Sequence, residues 1–182
     1  MKHVPNVLTI ARLAATPYLF YLVWLREYAP AIVLFIVLGL TDVIDGFIAR
    51  RFHASSRLGA ILDPIADKVM LSGMFLMLAL TGDIQVWLAV VVLGRDAAIL
   101  LGAGALAAAG RKREFPPSIW GKLSTFAQVL FVCFRLGVLA NIHVEPVAAA
   151  LAWMVAALVV VSLADYTIRG ATSPSDGDSA IE

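Results

Sequence analysis

Polar residues interrupt this chain rarely, and in clumps. Between the interruptions lie six apolar stretches, at about 4–25, 29–49, 60–81, 84–109, 117–140 and 146–169. Each is close to the roughly 20 residues that a bilayer-spanning helix requires. The breaks carry turn chemistry: Arg26-Glu27-Tyr28-Ala29-Pro30, Thr81-Gly82-Asp83, Arg113 through Pro117, and Asn141 through Pro146. Runs such as Ala31 to Leu40 are apolar all round, with no alternation of period two, which selects helices over barrel strands. The pattern predicts an all-α fold, a polytopic membrane protein with six transmembrane helices. One domain is expected over residues 1–169, followed by a polar, Pro/Gly/Ser-rich disordered tail at 170–182.

The distribution of charge orients those helices. Arg50, Arg51 and Arg57 fall in the second loop and Arg111, Lys112 and Arg113 in the fourth, whereas the odd-numbered loops hold only Arg26. The positive-inside rule then predicts both termini and the even loops in the cytoplasm. The first stretch is too long for a signal-peptide core and no small-residue cleavage site follows it, so it is expected to be retained, with Lys2 and Arg12 reaching the headgroups. The lack of a targeting segment fits a bacterial cytoplasmic membrane. Trp24, Trp87 and Trp120 near predicted helix ends suit an interfacial belt.

Composition narrows the function classes. With 61% hydrophobic and 15% charged residues and a net charge of +1, the chain is not an ordinary soluble enzyme, a disordered chain or a basic nucleic-acid binder. A single cysteine, Cys133, excludes an internal disulfide, and His3, His53 and His143 are too scattered for a histidine metal site.

Charges inside spanning segments are costly and usually functional, and here four acids cluster. Asp42 and Asp45 lie near the cytoplasmic end of the second predicted helix, and Asp63 and Asp67 near the cytoplasmic start of the third. Spacings of i,i+3 and i,i+4 put each pair on one helical face. A short loop makes the two helices antiparallel neighbours, so the four carboxylates are expected to converge. Their mutual repulsion calls for compensation by positive charge. Oxygen-only ligands suit Mg²⁺ or Mn²⁺ rather than zinc, and a pair of such ions suits phosphoryl transfer. Helix capping, or pairing with Lys68 and the loop arginines, is the structural alternative. Gly46 and Ala49 continue the Asp42–Asp45 stripe and Gly59 lies one turn before Asp63, leaving space for a bulky group against the backbone. Arg50 follows the stripe, with a guanidinium suited to a diphosphate.

Written out, the segment is Asp42-x2-Asp45-Gly46-x2-Ala49-Arg50-x8-Gly59-x3-Asp63-x3-Asp67. It resembles the signature of the CDP-alcohol phosphatidyltransferases at all eight positions. The start, Val4 to Arg12, is similar to the N-terminus of the phosphatidylglycerolphosphate and cardiolipin synthases of that family, as are Gly94-Arg95-Asp96 and Trp120-Gly121-Lys122. The likeness covers about residues 4–140 and agrees with the family's six helices.

The resemblance implies transfer of a substituted phosphate from a CDP-linked donor to an alcohol, with release of CMP, and an active site near the cytoplasmic end of helices 2 and 3. It assigns Asp42, Asp45, Asp63 and Asp67 to a pair of Mg²⁺ or Mn²⁺ ions, with Asp67 also the general base. Asn6, Gly46, Arg50, Ser56 and Gly59 are assigned to the cytidine diphosphate pocket. It also implies CDP-diacylglycerol as donor, glycerol 3-phosphate or phosphatidylglycerol as acceptor, and a homodimer.

For the acceptor, Arg95, Arg113 and Lys122 are candidates for a second phosphate pocket. Against this stands pairing of Arg95 with Asp96 or Asp165, and snorkelling of Lys122 to the headgroups. Glycerol 3-phosphate is the expected acceptor. A CMP-forming cardiolipin synthase is the alternative, favoured by Asp96 where the glycerol-phosphate enzymes often carry Glu. A prenyltransferase with two acidic motifs would space them farther apart. A transporter would use intramembrane acids but would not need the glycines and Arg50 at these spacings.

Overall fold

In a computed structural model the backbone is described for residues 4–52, 57–108 and 118–172, with side chains over 11–41, 68–102 and 118–168. Among these residues the chain is all helical: α1 (Val4–Trp24), α2 (Tyr28–Phe52), α3 (Arg57–Leu80), α4 (Val86–Ala108), α5 (Ile119–Leu139) and α6 (Glu145–Thr172). The ends lie within about three residues of those expected. Two extensions matter. α2 continues to Phe52, so Arg50 and Arg51 stand on its last turns rather than in a loop, and Arg57 opens α3. α6 runs on to Thr172, past the boundary expected at 169, while 173–182 lie outside the described residues.

The three odd helices end in the same way. Arg26 (φ 61°), Gly82 (φ 76°) and Asn141 (φ 67°) all adopt the left-handed conformation just past a helix end. After each, an amide reaches back five residues: Glu27 to the Leu22 carbonyl (2.9 Å), Asp83 to Leu78 (2.8 Å) and Ile142 to Gly137 (2.9 Å). The left-handed residue's own amide bonds three residues back in all three cases. This is the Schellman closure, which satisfies the last carbonyls and turns the chain sharply. Three such turns make one end of the bundle compact.

Packing orders the helices in a ring: α1 on α2, α2 on α5, α5 on α6, α6 on α4, α4 on α3 and α3 back on α1. α5 also touches α3 across the ring, where the Phe75 and Phe131 rings stack with centroids 5.5 Å apart. Among the described residues α2 and α3 each pack on α1 and on α5; their direct pairing, expected from the short connection, falls on the 42–67 stretch, whose side chains lie outside the described ones. Gly73 permits the α1–α3 approach, because a Cβ there would collide with the Phe20 ring.

Large apolar side chains face outward on all six helices, among them Tyr18, Val33, Leu76, Leu101, Phe126 and Val160. Buried between helices are Arg12, Thr16, Asp83, Arg95, Ser124, Gln128 and Ser162. A greasy exterior around polar interior positions is the pattern of a membrane protein. α5 and the Glu145–Ile168 part of α6 are long and apolar enough to cross a bilayer.

Candidate active site

The motif residues lie on the halves of α2 and α3 away from the Schellman turns. α2 carries Asp42, Asp45, Gly46, Ala49 and Arg50 in unbroken helix, and α3 carries Gly59, Asp63 and Asp67. Helical geometry therefore keeps each acid pair on one face, separated along the axis by about 4.5 Å and 6 Å respectively. Asn6 stands in the first turn of α1. Ser56 and Arg113 lie outside the described residues. Asp42, Asp45, Asp63 and Asp67 belong to stretches, 42–52 and 57–67, for which only the backbone is described.

Immediately beyond Asp67, side chains tie α3 to α4. The Lys68 ammonium lies 3.1 Å from Asp96 Oδ1, and Ser72 Oγ donates to Asp96 Oδ2 at 2.8 Å. Arg95 Nη1 donates to Asp96 Oδ1 (2.8 Å), and its Nη2 donates to Ser162 Oγ on α6 (2.8 Å). Arg95 is thus buried (8% exposed) and committed to Asp96 and Ser162. Gly121 lets the first turn of α5 approach, since a Cβ there would come within 3.3 Å of Arg95 Nη2. Lys122, the next residue, is exposed. The structure therefore brings α5 beside Arg95 but shows the Arg95–Asp96 pairing that stood against a phosphate role. At the start of α5, Ser118 caps the helix by accepting from the Trp120 amide (3.2 Å) and donates to Asp165 Oδ2 (2.5 Å).

Two charges lie in the interior, one of them against expectation. Arg12, expected at the headgroups, is 2% exposed and faces the bundle interior. It lies on a stripe with Thr16, Leu19 and Val23, a helical spacing that could have revealed it. Asp83 stands in the turn expected after α3, and it is buried there, 5% exposed. It accepts from Tyr28 Oη (2.8 Å) and Thr81 Oγ1 (2.6 Å), and its carbonyl accepts from Arg135 Nε (2.7 Å). Arg26 Nη1 lies 3.8 Å from its other carboxylate oxygen. Turn composition hides such a residue, because its partners come from distant parts of the chain.

Comparison with known proteins now decides the family. The sequence profile of the CDP-alcohol phosphatidyltransferases matches residues 2–164. The chain belongs to that family. It is 35% identical over 181 residues to the CDP-diacylglycerol–glycerol-3-phosphate 3-phosphatidyltransferase of Aquifex aeolicus, covering 92% of this chain and 96% of that one. The Shigella flexneri protein of the same name is 33% identical over 171 residues, 90% of this chain and 92% of its own. A probable CMP-forming cardiolipin synthase of Drosophila melanogaster is 38% identical over 102 residues, 56% of this chain and 31% of that one. Membership fits the eight-position motif on α2 and α3 and the all-helical chain around it.

Proposed function

We propose that this phosphatidyltransferase moves the phosphatidyl group of CDP-diacylglycerol to glycerol 3-phosphate, releasing CMP and forming phosphatidylglycerolphosphate. End-to-end similarity to two enzymes named for that reaction carries the acceptor choice, against similarity over half to about two thirds of the chain for proteins named as cardiolipin synthases.

In this reading Asp42, Asp45, Asp63 and Asp67 hold two Mg²⁺ or Mn²⁺ ions. The fit rests on the donor chemistry, four carboxylates without sulfur or imidazole, and on unbroken helix through both pairs. Bound there, the ions neutralise charge on the attacking and leaving oxygens. Asp67 takes the proton from the acceptor hydroxyl, which then attacks the phosphorus nearer the lipid. Gly46 and Gly59 leave room for the nucleotide, and Arg50, with Asn6 and Ser56, holds it by its charged and polar groups. Most of the acceleration comes from positioning and charge neutralisation. All six helices span the bilayer, with the motif end in the cytoplasm, where a lipid donor keeps its acyl chains between helices while its nucleotide meets water. Arg50, Arg51 and Arg57 at the α2–α3 connection and Arg111, Lys112 and Arg113 between α4 and α5 support that orientation.

The direct check supplies purified protein with CDP-diacylglycerol and either acceptor, and identifies the lipid product by mass. Phosphatidylglycerolphosphate from glycerol 3-phosphate is expected. Product from phosphatidylglycerol alone makes the chain a cardiolipin synthase instead.

A further inference from the structure

Arg12 is a buried cation that the proposed chemistry leaves unused, and the packing of α1 fixes its height in the bundle. α1 and α3 run in the same direction. Phe20 meets Gly73, and Arg26, just past the end of α1, donates to the Thr81 carbonyl just past the end of α3 at 3.0 Å. Carried back along both helices at equal rise, the first contact sets Arg12 level with Ile65 and the second sets it level with Asp67. The register therefore brackets Arg12 between Asp63 and Asp67, nearer the latter. α2 runs antiparallel to α1 from the tight turn at Arg26, so the same count along α2 reaches Leu40, two residues before Asp42. Asp42 and Asp67 are the members of each acid pair that lie deeper in the bundle. Only α1 and α5 pack on both α2 and α3 among the described residues, and Arg12 is the charged residue of α1 turned inward there. Burying a guanidinium is costly without negative charge nearby. The only carboxylates of α2 and α3 at its level are those of the motif.

We propose that Arg12 is the fixed counter-cation of the four-aspartate site, a positioning residue that α1 places beside its two deepest members, Asp42 and Asp67. It restrains their mutual repulsion when no metal is bound and lowers the site's affinity for a dication, because a permanent positive charge at that range repels one. The inference rests on the metal-binding reading given above.

The test is Mn²⁺ binding to purified, metal-stripped protein, followed by calorimetry and by the electron paramagnetic resonance of free Mn²⁺. Arg12→Gln is expected to tighten Mn²⁺ binding about threefold or more, while Arg12→Lys, which keeps the charge, binds as the wild type does. Leu19→Ala, which opens a cavity on the same helix face, serves as the control for general loosening and is expected to leave the affinity unchanged. Unchanged or weaker binding in Arg12→Gln, or an equal tightening in Leu19→Ala, overturns the proposal. Should Arg12→Gln not fold, the double variant with Asp67→Asn has one acid fewer and is expected to restore folding; no restoration overturns the proposal as well. A wild-type protein that binds no Mn²⁺ and releases no CMP contradicts the functional reading itself, and the inference falls with it.

Discussion

Asp96 shows how a single half-buried carboxylate can tie three helices together beside the motif. It takes bonds from Lys68 and Ser72 on α3 and from Arg95 beside it on α4, while Arg95 also reaches Ser162 on α6. Lys68 directly follows Asp67, so the pair anchors α3 one residue beyond the motif. Asp96→Asn leaves Arg95 buried without a charged partner and is expected to destabilise the protein by about 3 kcal/mol, the cost typical of breaking a buried pair from one side. Asp96→Glu keeps the charge and should lose less. Thermal unfolding in detergent compares the two; equal stability of Asp96→Asn and wild type rules out the anchoring role.

Helix ends and faces were legible in the sequence to different degrees. Each apolar stretch became one helix, because about 20 apolar residues bounded by turn chemistry have few other solutions in lipid. Gly82 and Asn141 announced two of the odd-helix turns, since both residue types tolerate the left-handed conformation that the Schellman closure requires. The turn at Arg26 was expected from the Arg26–Pro30 break, but its left-handed backbone was not, because the partners of its side chain, Thr81 and Asp83, lie far along the chain. The inward turn of Arg12 was likewise hidden from a reading that placed arginines at headgroups. Packing on α1 and α5, with Phe20 over Gly73, decided the arrangement that is described. The two left-handed turn residues give a paired prediction. Gly82→Ala should destabilise by about 1 kcal/mol, and Asn141→Gly should stabilise by up to about 1 kcal/mol. Both are read from thermal midpoints, and shifts of the same sign in the two variants contradict this account of the turns.

The whole molecule has two ends built for different tasks. One is knotted: Asp83 gathers Tyr28, Thr81, Arg26 and, through its carbonyl, Arg135, which in turn pairs with Glu145 at 3.2 Å. The other end carries the acids, Arg50 and the positive residues that orient the chain. The proposed topology puts the knotted end outside. In a Cys133→Ser background, a cysteine at Glu27 or Asn141 should react with an impermeant thiol reagent on intact cells, and one at Ser175 should react only after lysis. The reverse pattern inverts the protein in the membrane. The family was legible from motif spacing, and the expected glycerol 3-phosphate acceptor agrees with the names of the end-to-end relatives, whereas Arg95, a candidate for the acceptor's phosphate, is held in the interior by Asp96 and Ser162. The most direct measurement is CMP release from CDP-diacylglycerol and glycerol 3-phosphate by purified protein with Mg²⁺ or Mn²⁺, wild type beside Asp67→Asn. Wild type should form CMP in step with phosphatidylglycerolphosphate, fall to background in chelator, and lose about 10²–10⁴-fold in rate on Asp67→Asn. Metal-independent release, no release at all, or an undiminished rate in Asp67→Asn would contradict the account.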